Sequence, residues 1–156
     1  MTCRENSDII RKNVKKESFD MKMRVIYYSK KKKISDLAEY LSKNSDEYKP
    51  DTIPPDYSLD KEKLLVLGMS KLVKLPDDVR RFCTNLKPAT VKNIALYTDR
   101  PESEAKEFIK MMRESGANIF DSVLYVKSEF LSFKKASAEE KKAADEWFEA
   151  LLPQLK

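Results

Sequence analysis

The stretch Ser29-Lys30-Lys31-Lys32-Lys33 holds the clearest chemical potential in this chain of 156 residues. Four adjacent ammonium groups follow a short apolar run, Val25-Ile26-Tyr27-Tyr28. They precede a segment in which Ile34, Leu37, Ala38 and Leu41 recur at helical spacing. A strand that hands over to a helix through such a turn brings lysine charge and the positive helix end to one place. The chemistry this suits is anion binding. Three readings are open at this point: a nucleotide phosphate, an acidic protein partner, or a solvated charged turn.

Other chemistry is narrowed by what the chain lacks. With no histidine, Ser-His-Asp and Cys-His catalysis are excluded, and so is the commonest zinc ligand. Two distant cysteines, Cys3 and Cys83, cannot make a structural zinc site, and they read as reduced thiols of a cytosolic protein. Only Gly68 and Gly116 are glycine, so glycine-rich phosphate loops are excluded too. No carboxylate pair stands out as an acid and base couple, and Asp77-Asp78 read as helix-start residues. The net charge of +5 suits an acidic partner without identifying one. The lysines lack the interleaved aromatics of a nucleic-acid site, so no nucleic acid is expected. No segment approaches the length of a membrane span, and the polar start does not read as a signal peptide, so a cytoplasmic protein without a membrane partner is expected.

The elements that must position the lysines read as follows. Residues 1–22 are expected to form a flexible polar tail, with Met21 or Met23 as alternative starts, and residues 23–156 one domain. Arg24–Tyr28 is the first strand, with Ser35 as cap of the first helix. Glu47–Ile53 reads as a short edge strand, because Pro50 is tolerated only at an edge or end. Leu64–Gly68 is apolar on both faces, as a central parallel strand requires. Pro76 opens a helix whose inner face is Leu75, Val79, Phe82 and Leu86. Val91–Tyr97 is a fourth strand. Pro101 opens a helix with Ala105, Phe108, Ile109 and Met112 inward, closed by Gly116. Ile119–Val126 is a fifth strand. Ser137-Ala138-Glu139-Glu140 is a capping box for a last helix burying Ala144, Trp147, Phe148 and Leu151. Five strands alternating with four helices predict an α/β fold with a parallel sheet and right-handed crossovers. Cys83 reads as a buried small hydrophobe, and Tyr27 and Tyr28 as strand core and flank. Phe130 and Phe133 read as a loop tucked onto the sheet, whereas an exposed pair would mark a docking surface.

Three stretches in this order resemble a small flavodoxin. They are Val25–Ser29 with Leu37-Ala38, Leu65–Gly68 with Lys74-Leu75-Pro76 and Val79–Phe82, and Val91–Tyr97. The resemblance covers roughly residues 23–156. It implies a three-layer sandwich, a five-stranded parallel sheet of order 2-1-3-4-5, and FMN at the carboxyl ends of strands 1, 3 and 4. The positions that would hold FMN are then Ser29, Lys30, Lys31, Lys32 and Lys33 in the first loop, Ser70 and Leu72 in the second, and Thr98 and Asp99 in the third. All three loops depart from the family pattern. Where flavodoxins carry Ser/Thr-x-Thr-Gly-Asn-Thr, this chain has Ser29–Ile34, and only Ser29 fits. Met69–Lys74 lacks the aromatic that stacks on the flavin ring, and Thr98-Asp99-Arg100-Pro101 lacks the usual glycines.

What the resemblance implies is therefore an electron-transfer or accessory protein acting with a partner, a flavin-dependent reductase, with FMN binding weak or lost. Small flavodoxin-like proteins occur beside such reductases in anaerobic pathways, bilirubin reduction among them. The alternative is a cofactor-free regulatory or interaction module. No stand-alone enzymatic activity is expected.

Overall fold

The computed structural model describes residues 22–45, 49–53, 55 and 59–156. The expected tail lies almost wholly outside the described residues, as do Glu47, Tyr48 and Pro54 within or beside the expected edge strand.

Five parallel strands form one sheet of order β2-β1-β3-β4-β5. They are β1 Met23–Tyr28, β2 Asp51–Thr52, β3 Leu64–Met69, β4 Ile94–Thr98 and β5 Leu124–Tyr125. Four α-helices connect or flank them: α1 Lys32–Leu41, α2 Asp77–Thr84, α3 Glu102–Glu114 and α4 Ala138–Leu151. The expected α/β fold is thus the observed one, a flavodoxin-like arrangement with the sheet between two helical layers.

Strand periodicity decides which helix each residue meets, because successive side chains leave a strand on opposite faces. Leu65, Leu67, Leu96 and Ile94 pack with α2 and α3 through Val79, Cys83, Phe108 and Met112. Leu64, Val66, Ala95 and Tyr97 pack with α1 and α4 through Ile34, Leu37, Trp147 and Phe148. Every residue of β3 and β4 is buried, as expected for central strands covered on both sides. Cys83 is fully buried, and burial pushes its thiol up to about 12.

One glycine is required by a close approach. Gly68 of β3 pairs with Tyr97 of β4. A Cβ at position 68 would lie 2.2 Å from the Tyr97 ring and hydroxyl. That open space lets the phenol cross the sheet face, where its hydroxyl donates to the Ile34 carbonyl in the first turn of α1 at 2.8 Å. Burial holds the Tyr97 phenol well above its ordinary value, so it stays a donor.

Several boundaries differ from the sequence expectation. Helix α1 starts at Lys32, and Ser35 lies inside it, with its hydroxyl donating to the Lys32 carbonyl. The apolar stripe therefore begins with Lys33 rather than after the lysine run. The fifth strand is realised in two pieces: Ile119 bridges Ile94, and only Leu124–Tyr125 pairs with β4 as a strand. Between them the chain turns outward, and the Ser122 carbonyl accepts the Trp147 indole N–H at 2.9 Å. β4 begins at Ile94, because Val91 pairs with Glu62 in an isolated bridge. Gly116, at φ 95°, closes α3 as expected, and the Ser137–Glu140 capping box is present in full.

Candidate functional site

The carboxyl ends of β1, β3 and β4 bring Ser29–Lys33, Ser70 and Thr98-Asp99 to one edge of the sheet. Ser29 is the hinge of this edge. Its hydroxyl oxygen accepts the Lys31 backbone N–H at 2.9 Å and the Ser70 hydroxyl at 2.7 Å. This bond locks the lysine turn to the end of β3 and delivers the chain into α1.

The four lysines then part company. Position 33 lies four residues before Leu37, so it shares the inward face of α1 with Ile34, Leu37, Ala38 and Leu41. Lys33 is only 3% exposed. An ammonium in that position needs counter-charge. It finds Glu129 at 2.9 Å, Glu140 at 3.0 Å and the Lys127 carbonyl at 3.0 Å. Burial pulls the Lys33 ammonium down, and the two carboxylates more than offset this, leaving it raised from its ordinary value. The Lys33 hydrogen bond in turn lowers Glu129. Glu140 is lowered by Ser137 and Lys33 against an opposing burial effect.

Lys31 is used internally as well. Its ammonium pairs with Asp99 at 2.9 Å and donates to the Ser128 hydroxyl at 3.2 Å. Lys30 and Lys32 form no salt bridge with a described residue.

The segment 127–136 lies across this helix start as a strap. The backbone N–H of Lys32 donates to the Ser132 carbonyl at 2.6 Å. Asp36 accepts the Ala136 N–H at 3.1 Å, and Lys134 approaches Glu129 at 3.6 Å. An internal carbonyl, a hydroxyl and a carboxylate thus take the contacts that a bound oxyanion would need. No local pattern in the sequence marks Ser128, Glu129 or Ser132 for this role. The one available signal was the placement of Lys33 on the apolar stripe, which demands acidic partners from somewhere.

The remaining expected site residues are also engaged. Leu72 is 2% exposed and packed in the α2/α3 core, so it presents no surface to a ligand. Thr98 is buried and accepts the Arg100 N–H at 3.1 Å. Asp99 is buried, one oxygen on Lys31 and the other without a hydrogen-bond partner among the described residues. As folded, these residues do not fit the phosphate of FMN: the helix start is closed by the strap, and two of the four lysines are neutralised. Beside them lies a cavity of about 460 Å³, lined by Tyr27, Tyr28, Ser29, Lys30, Lys31, Ser70 and Lys71, with Thr52 of β2 and Ile53 just after it. The two tyrosines are half-buried there and form one wall of it.

The described residues contain no cluster of potential metal ligands. No described helix is long and apolar enough to cross a membrane. No protein-family model matches the chain, and neither does any curated protein or solved structure.

Proposed function

We propose that this chain is an accessory protein on a flavodoxin-like scaffold, that it works with a partner protein, a flavin-dependent reductase, and that it holds no FMN of its own. The observation that carries this reading is the closed start of α1. The Ser132 carbonyl occupies the Lys32 N–H, and Lys31 and Lys33 are paired to Asp99, Glu129 and Glu140. A phosphate would have to displace all of these contacts and strand a buried lysine among them. What remains at the edge is Lys30 and Lys71 on the cavity, a surface suited to an acidic partner. An anaerobic reduction pathway such as bilirubin reduction is the setting that the resemblance suggests.

Titration of FMN with the purified chain, read by flavin fluorescence, tests this. The expected result is no saturable quenching, together with faster turnover of the partner reductase when the chain is added. A second reading, weak FMN binding shared with the partner, is favoured by the tyrosine-walled cavity. Saturable quenching that Lys30→Ala and Lys71→Ala weaken would replace the first reading by this one. Unchanged reductase turnover would leave a cofactor-free regulatory module.

A further inference from the structure

The strap has two sides, and only the inner one is satisfied within the chain. Glu129 and the Ser132 carbonyl face α1, whereas Phe130 is 99% exposed, Phe133 73% and Leu131 47%. These are three of the four large hydrophobics exposed among the described residues. They stand on one turn, closed by the Lys134 N–H on the Leu131 carbonyl at 3.3 Å. Because Glu129 is held by Lys33 on one flank and Ser132 by Lys32, the rings cannot fold back onto the sheet without breaking those contacts.

We propose that this turn is a lipid-surface contact, in which Phe130, Leu131 and Phe133 enter the headgroup boundary of an anionic bilayer while Lys127, Lys135, Lys30 and Lys32 bind its phosphates. The charge around the tip fits this occupant. Glu129 and Glu140 are balanced by Lys33 and Lys134, and Asp99 by Lys31. Lys127, Lys135, Lys30 and Lys32 form no salt bridge with a described residue, so the collar is basic on balance. Aromatic and leucine side chains projecting from a lysine-rich surface are the pattern of interfacial insertion, and a cluster of four or more lysines is drawn to anionic headgroups. A protein interface of this size would instead present a flatter apolar core in which lysine is depleted. The contact is one of a loop lying on the bilayer, which requires no spanning helix.

Co-sedimentation of the full chain with vesicles tests the proposal. The expected result is binding to phosphatidylcholine vesicles containing phosphatidylserine, little binding to phosphatidylcholine alone, and release at high salt. Phe130→Ser and Phe133→Ser should each weaken binding about tenfold, and Lys127→Glu with Lys135→Glu should abolish it. Both phenylalanines are exposed, so their variants should melt with the parent, and melting curves confirm that the fold is kept. Phe130→Trp should add a blue-shifted emission on vesicle addition that the parent, with Trp147 alone, does not show. The proposal is overturned by no binding to phosphatidylserine vesicles, or by binding insensitive to the Phe→Ser changes. It is equally overturned by a Phe130→Trp shift that appears only with a second copy of the chain or with a protein partner.

Discussion

The two helical layers hold the sheet in different ways. The α2/α3 layer packs through Val79, Cys83, Phe108 and Met112, and the residues that these two helices bury are all apolar. The α1/α4 layer has an apolar core as well, but it is crossed by directional contacts. Tyr97 bonds the Ile34 carbonyl, Trp147 bonds the Ser122 carbonyl, and Lys33 joins α1, the strap and α4 through Glu129 and Glu140. Tyr97 and Trp147 also meet edge to face, with ring centroids 6.4 Å apart. Apolar packing is non-directional and stabilises in proportion to the area buried. A buried charge network adds little net stability, yet it permits few alternative arrangements. The difference explains why a lysine-rich loop in this fold serves as a brace. The layer that receives the lysine run uses half of it to fix where the strap lies.

Three substitutions or conditions would break or sharpen this contrast. The largest effect is expected in the apolar layer. Phe108→Ala should lower the unfolding free energy by about 4 kcal/mol, from lost burial and the cavity left behind. Denaturant unfolding measures the loss, and amide exchange of residues 128–134 should be unchanged at matched stability. If the strap also loosens, the layers are not separable. Lys33→Ala should cost less, about 2 kcal/mol, because Glu129 and Glu140 can reach water once unpaired. It should nevertheless free the strap, seen as faster exchange at 128–134 and new cleavage by proteases near Phe130. Intact protection in that variant would mean that the Ser132 and Ala136 backbone bonds suffice alone.

The smallest effect is that of pH. Glu129 and Glu140 are both lowered from 4.5, so their stabilisation is fully present above that value and is lost as pH falls through the folded values. Lys33 is raised from 10.5, so its contribution is fully present below that value and is lost only as pH rises through its folded value. Strap protection should therefore be flat through neutral pH and fall on acidification below about 4.5. A loss centred near neutral pH would contradict the assignment, since the chain has no histidine to titrate there.

Much of the architecture was legible in the residues themselves. The apolar runs at Val25–Tyr28 and Leu64–Gly68, the helical stripes of α2 to α4 and the Ser137–Glu140 box are local patterns, and short-range sterics and hydrogen bonding suffice to specify them. The same holds for the alternation of strands and helices, from which the parallel sheet follows because a crossover of helix length returns the chain to the same end of the sheet. The lysine run was legible as charge but not as structure. Only the spacing of Lys33 from Leu37 hints at which of the four points inward, and the run itself does not say whether the helix reaches back that far. That was decided by the start of α1 at Lys32, three residues before the apparent Ser35 cap, which turned Lys33 onto the buried face. The partners Asp99, Ser128, Glu129 and Glu140 lie 68 to 107 residues away along the chain from the lysines they meet. The exposure of Phe130 and Phe133 was likewise set from a distance, by the contacts that hold the strap's inner side against α1. Local propensity is read from neighbours along the chain, whereas the charge state of a buried site depends on neighbours in space, and only the folded molecule brings those together.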